Sequence, residues 1–178
     1  IIKSAVREFT KNTLENASLN NIIIDSDVAR GSFYYYFDNK EDLYFYLLER
    51  HSYNIQTKIE EYLIKYNGNL YKTYISMFDF FTKLLNGGNN YIKNIFKSMN
   101  GKILHNLFIK DYESNERLES LVNNINIHNK SIAFKTLNTI LASYIVKTLY
   151  SDNDLIEIKI EYRTIINLIT SSFIEKRD

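Results

Sequence analysis

The chain has 178 residues but no cysteine, no proline and only five glycines. Without a thiol there is no disulfide, no thiolate nucleophile and no cysteine-based metal site. Without proline, and with glycine this scarce, little interrupts a helix, so an almost wholly helical chain is expected. No apolar run approaches the roughly 18 residues that a membrane-spanning helix needs. No signal-peptide pattern is visible either, so no membrane partner and a cytoplasmic location are expected. The net charge of +1 selects no class of partner. The length is enough for a substantial core, as one domain or two small ones.

Catalytic constellations are equally sparse. His51, His105 and His128 lie far apart, with no i, i+4 pairing suited to a metal. There is no P-loop, no glycine-rich dinucleotide fingerprint and no nucleophile elbow. Acidic pairs such as Glu60-Glu61 read as solvated helix surface. The expectation is a protein that is not an enzyme and carries neither a metal nor another cofactor.

What the chain does hold is concentrated in residues 18–43, SLNNIIIDSDVARGSFYYYFDNKEDL. Ser18 can N-cap a short helix whose inner face is Leu19, Ile22 and Ile23. The apolar pattern breaks at Asp25-Ser26-Asp27, residue types that favour turns. Val28 can plug the space between helices, and Ala29 to Tyr35 begins a second one. Asp38 or Asn39 can then cap a long third helix, with Glu41 or Asp42 satisfying further amide donors. Two short helices joined by such a turn are either a packing corner or a helix-turn-helix, whose second helix enters the DNA major groove. Hydroxyls at Ser32, Tyr34 and Tyr35 can donate to phosphate oxygens, and the Arg30 guanidinium suits phosphate or guanine. With Ser18 and Lys40 these form the candidate DNA-binding set. Lys40 falls in the first turn of its helix, where the dipole disfavours a cation, which suggests an external anion. Phe33 and Phe37 read as core.

Gly31, Ser32, the aromatic triplet Tyr34, Tyr36 and Phe37, and then Lys40, Glu41 and Leu43 together resemble the tetracycline-repressor (TetR) family. The match runs back without a gap through Ile22, Ser18, Phe9 and Ala5, and covers residues 1 to about 48. The resemblance implies phosphate contacts from Lys40 and Tyr34, and a DNA-binding domain at 1–48 followed by a helical effector-binding and dimerisation domain at 49–178. The sequence departs from the family pattern in three places: Asp27 stands for a turn glycine, Ser26 for a small alanine, and Thr13 for the glycine that ends the first helix. Residues 1–50 hold six basic against eight acidic side chains, a net of −2. Phosphate neutralisation drives most non-specific affinity, so modest, salt-sensitive binding by two subunits acting together is expected.

Helical spacing continues beyond this motif. The first helix covers residues 1 to 12 on Ile2, Ala5, Val6 and Phe9, and a long one runs from about Lys40 to Tyr66. The latter is read as the only continuous connection to the rest, so a ligand shifting its far end would swing the reading head. Helix five runs from about Asn69 to Asn86 and stops at Gly87-Gly88. Shorter pieces are expected at Tyr91 to Met99, Lys102 to about Tyr112 and Glu116 to Ile127. Two long helices, Ser131 to Tyr150 and Leu155 to Lys176, follow about a turn at Ser151–Asp154. Their apolar arcs are wider than one buried face needs, which favours a homodimer. The candidate interface is Tyr144, Ile145, Leu149, Ile158, Tyr162, Ile165 and Ile169, and the family joins its last two helices in this way. Tyr74, Met77, Phe78, Phe81, Phe96, Met99, Phe108, Tyr112 and Phe134 could line a pocket for a small apolar or aromatic effector. The reading is a dimeric repressor of a palindromic double-stranded operator, released by that effector. The alternative is a ligand- or partner-binding helical dimer with a degenerate DNA head.

Overall fold

The computed structural model describes residues 1–88, 90–98, 100–104, 107–108, 115–123, 125, 127–150 and 154–173, and every regular element among them is a helix. Helix α1 (Ile2–Lys11) buries Ser4, Ala5, Glu8 and Phe9, one stripe at helical spacing. Helix α2 (Leu19–Ser26) starts at Ser18, whose hydroxyl accepts from the Asn21 amide at 3.3 Å, and buries Ile22 and Ile23. The buried Glu8 carboxylate joins the two helices: it accepts from the Asn12 side chain and the Ser18 amide, both at 2.9 Å.

The turn is tighter than the sequence pattern indicates. Asp25 and Ser26 remain helical, with the Ser26 hydroxyl donating to the Ile23 carbonyl at 2.9 Å. Asp27 alone leaves the helix, at φ 51° and ψ 40°, the left-handed region where a glycine is usual. Short polar side chains tolerate this conformation best after glycine, so the substitution keeps the turn at modest cost. Helix α3 (Arg30–Tyr34) follows, anchored by the fully buried Phe33, which meets Tyr34 edge-on at 5.3 Å and Phe37 at 5.7 Å.

Helix α4 (Lys40–Lys65) is capped by Asn39, whose side chain accepts from the Asp42 amide, and Glu41 and Asp42 complement its N-terminal dipole. The 48/49 boundary falls inside it. Its C-terminal end closes with the Gly68 amide donating to the Leu63 carbonyl at 2.8 Å. Gly68 has φ +75°, and a Cβ there would sit 2.2 Å from the Leu121 carbonyl oxygen, so this contact needs glycine.

The remaining helices are α5 (Leu70–Asn86), α6 (Asn90–Lys97), α7 (Gly101–Leu104), α8 (Glu116–Ser120), α9 (Ile127–Tyr150) and α10 (Leu155–Phe173). The helix expected over Glu116 to Ile127 stops at Ser120, and α9 starts earlier than expected, at Ile127. Much of the piece expected up to Tyr112, the turn at 151–153 and the end of the last helix lie outside the described residues. Helices α5, α9 and α10 share a core in which Phe78 stacks on Tyr162 at 4.3 Å. A polar chain runs through it. Tyr74 donates to Asn138 Oδ1 at 2.8 Å, Asn138 Nδ2 to the Phe108 carbonyl at 3.0 Å, and Tyr162 to the Tyr74 carbonyl at 3.0 Å. Asn138 is fully buried, so both ends of its amide need these partners. Among the described residues no helix is long and apolar enough to cross a membrane.

Helix α4 is not the sole link between the head and the rest. Helix α1 lies along α6, and Asn94 and Ser98 bond to backbone groups at the end of α1 and just beyond it.

Candidate nucleic-acid interface

Helix α3 faces solvent on every side except that of Phe33. Arg30, Gly31, Ser32, Tyr34, Tyr35 and Tyr36 are exposed, Tyr35 most of all at 82%. Large aromatic surface is rarely left this open without a partner. The Tyr35 and Tyr36 rings meet edge-on at 4.9 Å, so neighbouring side chains order one another at the surface. Arg30 Nη2 donates to Asn20 Oδ1 at 2.9 Å, which steadies the guanidinium at the start of α3. Nothing lies within 4 Å of a Cβ built on Gly31. The fold therefore does not demand glycine there, whereas a DNA backbone passing close to the helix would.

The other two candidates have structural duties. Ser18 is half-buried and caps α2. Lys40 Nζ donates to the carbonyls of Glu15 and Ala17 at 3.1 and 2.9 Å, closing the α1–α2 loop. A cation in the first turn of α4 is thus accounted for within the protein, without an external anion. An ammonium has three donors, so one remains for a phosphate. The acidic count of the head is also partly absorbed. Arg7 bonds Asp25 at 2.5 Å and holds its carboxyl below the usual range, while Glu8 is buried.

An apolar cavity of about 260 Å³ opens between α4, α5 and α6. Its walls are Ile55, Phe80, Phe81, Leu84, Ile92, Ile95, Phe96 and Leu107, and its polar groups are His51, Asn54 and Lys58. Of the nine residues expected at an effector pocket, Phe81 and Phe96 line it. Tyr74, Met77, Phe78, Phe108 and Phe134 are buried in close-packed core instead, and Met99 and Tyr112 lie outside the described residues. His51 Nε2 lies 3.1 Å from the Tyr91 hydroxyl, and burial, with the nearby Arg50, pushes its pKa down. The imidazole is therefore neutral at neutral pH. His105 and the His128 side chain lie outside the described residues. Among the described residues no group of three or more His, Cys, Asp or Glu could hold a metal.

The residues expected at a subunit interface face inward in the single chain. Tyr144, Ile145, Ile158 and Tyr162 are buried in the chain's own core, and Leu149, Ile165 and Ile169 pack against it. The exposed apolar residues of α9 and α10 are Ile132, Ile156, Ile160 and Leu168, each more than half exposed, together with Tyr150. Ile156, Ile160 and Leu168 lie at multiples of four along α10 and so form one outward stripe.

Sequence reasoning did not single out Asn20, Asn94 or Ser98. Asparagine and serine beside helix ends read as generic surface, and their partners are fixed by tertiary packing.

No curated protein matches the chain. Residues 1–47 match the family model described as bacterial regulatory proteins, tetR family. That segment is the α1–α3 head together with the first turns of α4 that carry it, so the head is similar to that of the tetR family of bacterial regulatory proteins.

Proposed function

We propose that the protein is a homodimeric repressor that reads a palindromic operator and leaves it when a small apolar or aromatic molecule binds. One observation supports this most: α3 and its C-cap Tyr35 hold Arg30, Ser32, Tyr34 and Tyr35 outward from a helix fixed by a single buried residue, Phe33. Arg30 and Tyr35 are the side chains assigned to base edges, with Ser32, Tyr34 and the free donor of Lys40 on phosphates. Residues 1–48 are the reading head, and residues 49–178 supply the effector cavity between α4, α5 and α6 and the dimer contact. That contact runs through the last two helices, on the stripe of Ile156, Ile160 and Leu168. Two-fold symmetry sets the two α3 helices one DNA turn apart, about 34–36 Å. Release requires that the effector bind the DNA-free conformation more tightly than the bound one.

The test is selection of bound duplexes from a random library by the full-length protein at fixed moderate salt. A recovered palindrome supports the reading and provides the probe for an effector search. No enrichment even at low salt would overturn it in favour of a helical dimer with a degenerate head.

A further inference from the structure

The groups around the cavity between α4, α5 and α6 are sorted by helix. Its polar ones, His51, Asn54 and Lys58, all come from α4, where steps of three and then four residues keep them on one face. The facing walls, from α5, α6 and Leu107, are apolar, and Phe81, Phe96 and Leu107 among them are closed to solvent. Asn54 is exposed and the Lys58 side chain partly so, which places the polar end at the mouth. An occupant matching this lining has one polar end at the mouth and an apolar body reaching inward. The volume is about 260 Å³. A water molecule's share of the liquid is about 30 Å³, so the space suits a body of about ten non-hydrogen atoms.

Charge decides what the polar end is. The lysine ammonium only donates, and among the described residues no aspartate or glutamate lines the cavity. An ammonium-bearing occupant would meet Lys58 with nothing to offset the repulsion, whereas a carboxylate would pair with it. Lys58 Nζ bonds Glu61 Oε2 at 2.6 Å, which occupies one of its three donors, and Glu61 itself lies outside the lining. The same ammonium sits 5.5 Å from the centre of the Phe80 ring, so it is held against the apolar wall. In the shallow groove beyond Asn54, Arg50 and Glu49 offset one another. A carboxylate at the mouth keeps part of its hydration, which limits the cost of burying it.

We infer that this cavity takes a small organic acid, with an apolar or aromatic body inside and a carboxylate paired with Lys58 at the mouth. The inference rests on the effector site proposed above and names the chemical class of its effector. Glu61 then competes with the acid for one ammonium, so it holds the affinity down.

The experiment is calorimetric titration of the full-length protein with three probes of one shape: phenylpropionate, its amide and phenylpropylamine. The acid binds about tenfold more tightly than the amide, and the amine does not bind. Lys58→Gln removes the preference for the acid and leaves the amide bound as before. Glu61→Gln tightens the acid about threefold without changing the amide. A cavity that had merely collapsed would lose acid and amide together, and could not give the gain in Glu61→Gln. Glu61 is largely exposed, so that variant carries the test alone if Lys58→Gln does not fold. Equal binding of acid and amide, binding of the amine, no binding of any probe to the parent, or acid affinity unmoved by Glu61→Gln overturns the inference. None of these titrations needs DNA. Acid binding in the expected pattern with no release of the operator, or with no operator found, overturns the proposed function and leaves the ligand class standing.

Discussion

The Lys40 ammonium lies 2.9 Å from the carbonyl oxygen of Ala17, so the first residue of α4 fastens the loop that precedes α2. A charge-assisted bond in a part-buried setting contributes about 1–2 kcal/mol. Lys40→Ala should lower stability by that amount in urea denaturation. It should also reduce the slope of log affinity against log salt by about one, if the third donor meets a phosphate. A stability loss with an unchanged slope would confine the lysine to its loop.

Gly31 separates folding from binding. Its surroundings are open, so Gly31→Ala should stabilise α3 by about 0.5–1 kcal/mol, read as a rise in melting temperature. The added methyl should still weaken operator binding if the helix backbone runs close to DNA. Stabilisation with unaltered affinity would remove close approach as the reason for the glycine.

His51 gives a pH signature. Its pKa in the fold lies below the ordinary 6.5, so the unfolded chain binds more protons between the two values. Stability contributed by the neutral ring is therefore full above pH 6.5 and declines as pH falls towards the lowered value. His51→Gln should flatten the stability profile over this interval while leaving the profile above it parallel to the parent. Identical slopes in the two proteins would mean that His51 titrates alike in both states.

The outward stripe of α10 predicts a clean contrast. Ile160→Glu combined with Leu168→Glu should give a folded monomer in sedimentation. Ile145→Glu should instead destabilise each subunit by several kcal/mol, because it puts an unpaired charge in the core. A stable dimer in the first variant would exclude that face.

Much of the head was legible because its determinants are local. The Ser18 cap, the Ile22 and Phe33 anchors and the exposed tyrosines of α3 all lie within one short stretch, and their spacing fixes which face each residue occupies. Lys40 was harder. Its sequence position argues for an anion, but its partners are carbonyls 25 and 23 residues earlier in the chain, and backbone acceptors leave no trace in residue type. Helix α10 shows a different limit. It is apolar on two faces, and periodicity alone cannot say whether Ile158 and Tyr162 or Ile156 and Ile160 turn inward. The link from Asn94 to α1 spans 85 residues to Phe9 and depends wholly on how α6 docks.

The close fit at Gly68 bears on how α4 can move. There the helix end is seated against Leu121, and Glu60 is tied to Arg117 at 2.6 Å. At the opposite end Lys40 is bound into the loop, and Tyr44 packs edge-on against Phe9 at 4.9 Å. A rod clamped at both ends does not pivot; it bows, most easily at mid-span. His51, Asn54, Ile55 and Lys58 occupy that middle stretch and also face the cavity, so an occupant would load the beam where it yields most.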